Sequence, residues 1–280
     1  IVNYDQLYQR FRRAQATMTD IIVKSDGLED FNRQQIALLG RSKLVFTSGS
    51  GPAVIVMSEM PGIYDEVINF ARKVRDAGFT VWMPHLFGEV GRSPSGGYLA
   101  KSVARACISR EFSALAANRS SPVVDWLRAL SAHVHPLCGG KGVGAIGMCF
   151  TGNFALSMMV EPTMLAPVLS QPSLPLFQKG GMHISPADLS CVKDRLEKED
   201  LTVLAYRFDG DPFCRKERFS EYAAALGDRF QSRVLPDEAA RVSRAAPHSV
   251  VTMHLIDAEG EPTRAAVDEI LRFYQTRLFA

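Results

Sequence analysis

The chain has 280 residues, 46% of them hydrophobic and 22% charged, with a formal net charge of +2 from 32 basic and 30 acidic side chains. That is enough apolar material for a sizeable core, and the near-balance of charge gives no reason to expect nucleic acid or an anionic membrane surface as partner. Five cysteines without paired spacing read as free thiols in a reducing compartment rather than a disulfide framework. No apolar run is long enough to span a bilayer and no signal-peptide pattern opens the chain, so a cytoplasmic location is expected.

Leu7, Phe11 and Ala14 recur at helical spacing among Arg10, Arg12 and Arg13, which predicts a short helix packed on the domain. Ile21, Ile22 and Val23 look strand-like, and residues 28–40 are ambiguous. Residues 1–40 are therefore read as an extension, and 41–280 as one domain. Runs at 43–47 and 53–57 flank Ser48-Gly49-Ser50-Gly51-Pro52 and predict strand, turn, strand. Val67, Phe70, Ala71 and Val74 then mark a helix face that stops at Gly78, and residues 79–84 give the next strand. This order implies a parallel crossover. Residues 85–100, rich in Gly, Ser and Pro, predict a surface loop. A helix is expected to open near Cys107, and a clearer one spans 122–130 before a Gly-rich break at 136–142.

The apolar strand 143–148 runs into Gly147-Met148-Cys149-Phe150-Thr151-Gly152, and an apolar helical pattern follows at 154–160. Strand, sharp turn and helix with a nucleophile at the apex is the nucleophile elbow of α/β-hydrolases, here carrying cysteine in place of serine. Strands are predicted at 164–170, 201–206, 230–235 and 250–256, with helices before 200, around 219–226 and at 265–278. Alternating strands and helices predict a mostly parallel central sheet covered on both faces.

In that architecture the acid and then the base follow the nucleophile in chain order, each in a loop after a strand. Asp211 and His248 meet this order, with Asp209 competing for the acid and His254 for the base. Histidine suits the base because its pKa lies near working pH. His254 falls inside an apolar run and is read as a satisfied sheet histidine. His85, His133, His135 and His183 are read as surface residues. His133, His135 and Cys138 have a spacing that could hold zinc, but no fourth ligand lies near, so neither metal nor other cofactor is expected.

Four pieces of the chain resemble the dienelactone hydrolase (carboxymethylenebutenolidase) family: the strand and loop through Ser58-Glu59-Met60-Pro61-Gly62, the strand ending Met83-Pro84-His85-Leu86, the cysteine elbow, and the pair Asp211-Pro212 and His248-Ser249. The resemblance implies hydrolysis of a small lactone or ester. Cys149 would be the nucleophile, His248 and Asp211 would complete a triad, and Glu59 would contact the cysteine and help deprotonate it. It further implies an oxyanion hole from the backbone N–H groups of Phe150 and Met60, and substrate binding by Ser249 and by an arginine, for which Arg110 is the candidate. Two positions depart from the family pattern. Thr151 stands where glycine is usual, predicting a narrowed elbow with a hydroxyl near the substrate, and His85 replaces an aspartate. A non-catalytic ligand-binding or scaffold role, and thioester chemistry on the same site, are the competing readings.

Overall fold

The computed structural model describes residues 26–112 and 115–279. The helix expected around Leu7 and the strand at Ile21 lie outside the described residues. The elements run β1 (Asn32–Leu38), β2 (Arg41–Ser48), β3 (Ala53–Met57), α1 (Asp65–Asp76), β4 (Thr80–Pro84), α2 (Gly96–Ile108), α3 (Val123–Cys138) and β5 (Val143–Met148). They continue with α4 (Phe154–Met158), β6 (Met164–Ser170), α5 (Pro186–Lys198), β7 (Val203–Phe208), α6 (Lys216–Leu226), β8 (Phe230–Leu235) and α7 (Pro262–Leu278).

Among the described residues, eight strands form one sheet in the order β1-β2-β4-β3-β5-β6-β7-β8. β1 and β2 are antiparallel to their neighbours, and every pair from β4 onward is parallel. This is the α/β-hydrolase fold, with β3 and β5 at its centre. Both strands are buried along their whole length, which is why they read as unbroken apolar runs. Alternate residues feed opposite faces. Ala53, Ile55 and Met57 pack with Trp126 and Phe154 from α3 and α4. Val54 and Val56 pack with Phe70 from α1 and Ile270 from α7.

Three expectations are corrected by this arrangement and one is met. β1 pairs with β2 along its full length, so the sheet begins at Asn32 and not after residue 40. The runs at 43–47 and 53–57 are strands joined by a turn, as expected, and β4 lies between them in the sheet. α2 starts at Gly96 inside the predicted loop and ends at Ile108, near where a helix was expected to open. Its buried side chains Tyr98, Ser102 and Ala106 keep helical spacing, but two glycines in its first turn hide the pattern. Residues 250–254 are turns rather than strand, closed by Thr252 and His254 backbone N–H groups donating to the Ser249 carbonyl. Val250 and Val251 are buried there, and a short apolar run cannot by itself separate strand from buried coil. Among the described residues, no helix is long and apolar enough to cross a membrane.

Candidate active site

The carboxyl ends of the parallel strands converge on one cavity of about 500 Å³, the usual place for a site in an open α/β sheet. Glu59 and Met60 enter it from the end of β3, Cys149 and Phe150 from the end of β5, and His248 and Ser249 from the loop after β8.

The elbow is sterically determined. Cys149 sits at φ 51°, in the left-handed region that side chains rarely adopt. The turn is tight enough that a Cβ on Gly147 would lie 2.1 Å from the Thr151 carbonyl oxygen, and one on Gly152 would lie 2.5 Å from the Cα of Pro172. Glycine is therefore required at both positions. Thr151 does not face the cavity. It is fully buried and its Oγ1 accepts the Met148 backbone N–H at 2.9 Å, while its own proton points among the carbonyls of Met57, Ser58 and Met148. The expectation that it contacts substrate is corrected: its hydroxyl is spent on tying the elbow to the end of β3.

His248 Nδ1 lies 2.7 Å from Asp211 Oδ2. The other oxygen of Asp211 accepts the backbone N–H groups of Phe213 and Cys214 at 2.8 and 3.0 Å. Asp209 is exposed and turned toward Arg207, so Asp211 is the carboxylate that reaches the imidazole. Burial pushes the His248 pKa down, but Cys149 and Asp211 beside it outweigh burial and hold the imidazole well above its ordinary value. Its Nε2 is buried and makes no hydrogen bond of ordinary geometry.

Glu59 is buried, and its carboxylate accepts four donors. Ser249 Oγ donates at 2.6 Å and Gln171 Nε2 at 3.2 Å to Oε2; the hydroxyls of Tyr64 and Thr252 donate to Oε1. Burial, reinforced by Glu59, raises the Tyr64 pKa well above its usual value. The contact with Cys149 that the resemblance implies is not among these bonds. Glu59 and Cys149 share the cavity wall, but the carboxylate is bound to the loops around it. Ser249 likewise lines the cavity while committing its hydroxyl to Glu59.

Arg110 is corrected. It is exposed on the turn after α2 and is not part of the cavity wall. The cations that line the wall are Lys179 and Arg215. The rim that carries Lys179 is held by Arg218. This fully buried guanidinium donates to the carbonyls of Leu174, Pro175, Gln178 and Gly181. Glu221 accepts the Gly181 N–H at 2.7 Å from the same helix.

His183 is also misplaced by the sequence: it is fully buried, with Nε2 2.7 Å from Ser121 Oγ and Nδ1 2.9 Å from the Ala116 carbonyl. Burial pushes its pKa down to about 4. His254 is buried too, in a turn rather than a strand, and its ring touches the loop that carries His248. Sequence reasoning missed Gln171, Thr252 and Tyr64. Of these, Gln171 had a signal, since it directly follows β6 on the same side of the sheet as the elbow. Among the described residues, no group of three or more His, Cys, Asp or Glu side chains is placed to hold a metal ion.

Comparison with known proteins bears on the fold. The dienelactone hydrolase family model matches residues 37–173, from β1 through the elbow to the loop after β6. No curated protein matches the sequence. A Klebsiella pneumoniae subsp. pneumoniae MGH 78578 structure assigned as a dienelactone hydrolase aligns with a TM-score of 0.60 at 14% identity, over 88% of this chain and 98% of that one. The dienelactone hydrolase of Anabaena variabilis ATCC 29413 aligns at 0.56 and 13% identity, over 89% of this chain and 100% of that one. A dienelactone hydrolase-like promiscuous phosphotriesterase from metagenomic libraries aligns at 0.56 and 17% identity, over 89% and 99%. At these identities the likeness carries the fold.

Proposed function

We propose that this chain, whose residues 37–173 match the dienelactone hydrolase family model, is a cysteine-dependent hydrolase of a small lactone or ester. The observation that carries the reading is the alignment of three groups at the strand ends. Cys149 stands at the apex of a strained elbow, His248 is beside it with a raised pKa, and Asp211 is hydrogen-bonded to the far nitrogen of that imidazole. Orientation by Asp211 directs the Nε2 side of the ring to the cysteine.

In the first step the Cys149 Sγ attacks the carbonyl carbon. The carbon–sulfur bond forms, the bond to the leaving oxygen breaks, and His248 delivers the proton to that oxygen. In the second step His248 takes a proton from water, the hydroxide attacks the thioester carbon, and the carbon–sulfur bond breaks to return the thiol. The backbone N–H groups of Phe150 and Met60, both on the cavity wall, are the proposed oxyanion donors. The wall is mostly apolar (Leu99, Val103, Leu176 and Met253 among it), with Lys179 and Arg215 beside it. That suits an uncharged reacting group with an apolar body. Glu59 serves the site by holding Ser249 and the loop of His248.

A panel of lactones, aryl esters and thioesters assayed with wild type and Cys149→Ser tests this, together with iodoacetamide labelling. Turnover of an ester or lactone that is lost on alkylation, and reduced at least 100-fold in Cys149→Ser, is expected. No turnover across the panel, or undiminished activity in the serine variant, refutes it.

A further inference from the structure

The imidazole of His254 is 1% exposed and accounts for two backbone donors that would otherwise be left without a partner. Its Nδ1 lies 3.3 Å from the backbone nitrogen of His248 and 3.1 Å from that of Ser249. Both are N–H groups, so Nδ1 accepts and carries no proton. The other end of the ring requires the same tautomer. Ser243 Oγ donates its single proton to the Ala245 carbonyl at 2.9 Å and accepts the Ala245 N–H at 3.1 Å. What remains on that oxygen is one lone pair, 3.0 Å from His254 Nε2. Nε2 is therefore the protonated nitrogen.

We propose that His254 is a positioning residue for the base of the active site: as the neutral, Nε2-protonated tautomer it holds the backbone of His248 and Ser249 in register with Cys149 and Glu59. The proposal rests on the reading of His248 as the catalytic base. It assigns a function to a histidine that takes no part in proton transfer to substrate.

The electrostatics around the ring fit this role. Burial lowers the His254 pKa, the Ala245 carbonyl raises it, and the remaining charged neighbours are His248 and Arg241, which lower it, and Glu59, which raises it. Arg241 is fixed in place, donating from its backbone N–H to the His254 carbonyl at 2.8 Å and from Nε to the Met253 carbonyl at 2.7 Å. Its guanidinium also pairs with Glu66. The Phe208 ring closes one side, edge-on at 6.1 Å. A proton added to Nδ1 would point at two N–H groups and leave both unsatisfied in a buried position. Below the pH at which that happens, the loop loses its anchor and the base loses its place. Displacement by about 1 Å is enough to cost on the order of 100-fold in rate.

The test uses the whole chain with 15N-labelled histidine. The His254 resonances should show an unprotonated Nδ1 and a protonated Nε2 throughout the pH range of activity. His254→Leu removes the acceptor; His254→Asn keeps an amide oxygen near the place of Nδ1. Both variants are first checked for a native thermal transition. The expected result is a 10- to 100-fold fall in kcat/KM for an aryl ester in the leucine variant, carried mainly by kcat. The asparagine variant should recover most of that loss, and its acid limb of activity should move to lower pH. Cys149 alkylation by iodoacetamide should slow in the leucine variant in parallel. Wild-type rates in a folded His254→Leu, no rescue by asparagine, or a His254 protonated on Nδ1 in the active enzyme overturns the proposal. Absence of ester turnover in the wild type strikes at the hydrolase reading instead, leaving the tautomer and the alkylation rates to decide the role of His254.

Discussion

Replacing Thr151 by valine isolates what its hydroxyl does. The two side chains have the same shape, so no cavity is opened. The substitution leaves the Met148 N–H, which donates to Oγ1 at 2.9 Å, without an acceptor in a fully buried turn. It also withdraws the proton offered to the carbonyls of Met57 and Ser58 at 3.1 and 3.2 Å. An orphaned buried donor costs about 1–3 kcal/mol, so Thr151→Val is expected to be destabilised by that amount. Thr151→Ser keeps the hydroxyl and loses one methyl, a cost of about 1 kcal/mol. Urea unfolding followed by the fluorescence of the buried Trp82 and Trp126 reads both: the midpoint should fall while the slope stays constant. Relative rates on small and large esters should be unchanged in whatever fraction remains folded. A valine variant that unfolds at the wild-type midpoint, or that shifts the preference between small and large esters, refutes the argument. It would return Thr151 to the substrate-facing role that its position behind Cys149 suggests.

Asp211→Asn should reduce kcat/KM by a factor on the order of 10²–10⁴, because an amide can present N–H to His248 Nδ1 and favour the wrong tautomer; steady-state assays on a protein with an unchanged thermal transition check it. Glu59→Gln should lower stability by about 1–3 kcal/mol, since an amide nitrogen would face hydroxyl or amide donors where an oxygen now accepts them; the urea midpoint reads this. His183 makes stability depend on pH. Its folded pKa, about 4, lies below the unfolded value of 6.5, so the unfolded chain binds the proton more readily. Its contribution is complete above pH 6.5 and is lost as pH falls toward 4, on the order of 3 kcal/mol in all. Urea midpoints at pH 7.5, 5.5 and 4.5 should fall more steeply for wild type than for His183→Gln.

The legible parts of this chain are those where one physical constraint writes one pattern. A strand buried on both faces must be apolar throughout, and β3 and β5 are. A turn as tight as the elbow must carry glycine where a Cβ would strike backbone, and Gly147 and Gly152 stand there. The convergence of Cys149, Asp211 and His248 follows from strands ending on one side of a parallel sheet. What stayed hidden depends on contacts between distant segments. A threonine two places after Cys149 looks the same in sequence whether its hydroxyl faces the cavity or the Met57 carbonyl. Arg110 and Arg218 are equally charged in the sequence, but one is exposed and the other is fully buried among carbonyls. His183 and His254 read as surface and strand residues because nothing local reveals that Ser121 and Ser243 will meet them.

The four donors gathered on Glu59 bear on when the site comes into being during folding. Ser249 and Thr252 lie 190 and 193 residues away along the chain, and Gln171 lies 112 away. Contacts of such separation close last, because the entropy of each large loop must be lost before its bond can form. Neighbouring strands and helices can assemble while the carboxylate is still unclaimed. Refolding is therefore expected to have two milestones, a sheet that buries the tryptophans and, later, a fully tied carboxylate that fixes the loop of His248. Return of esterase activity should lag return of native fluorescence, and shortening of that lag by a substitution would mark a residue that limits the final assembly.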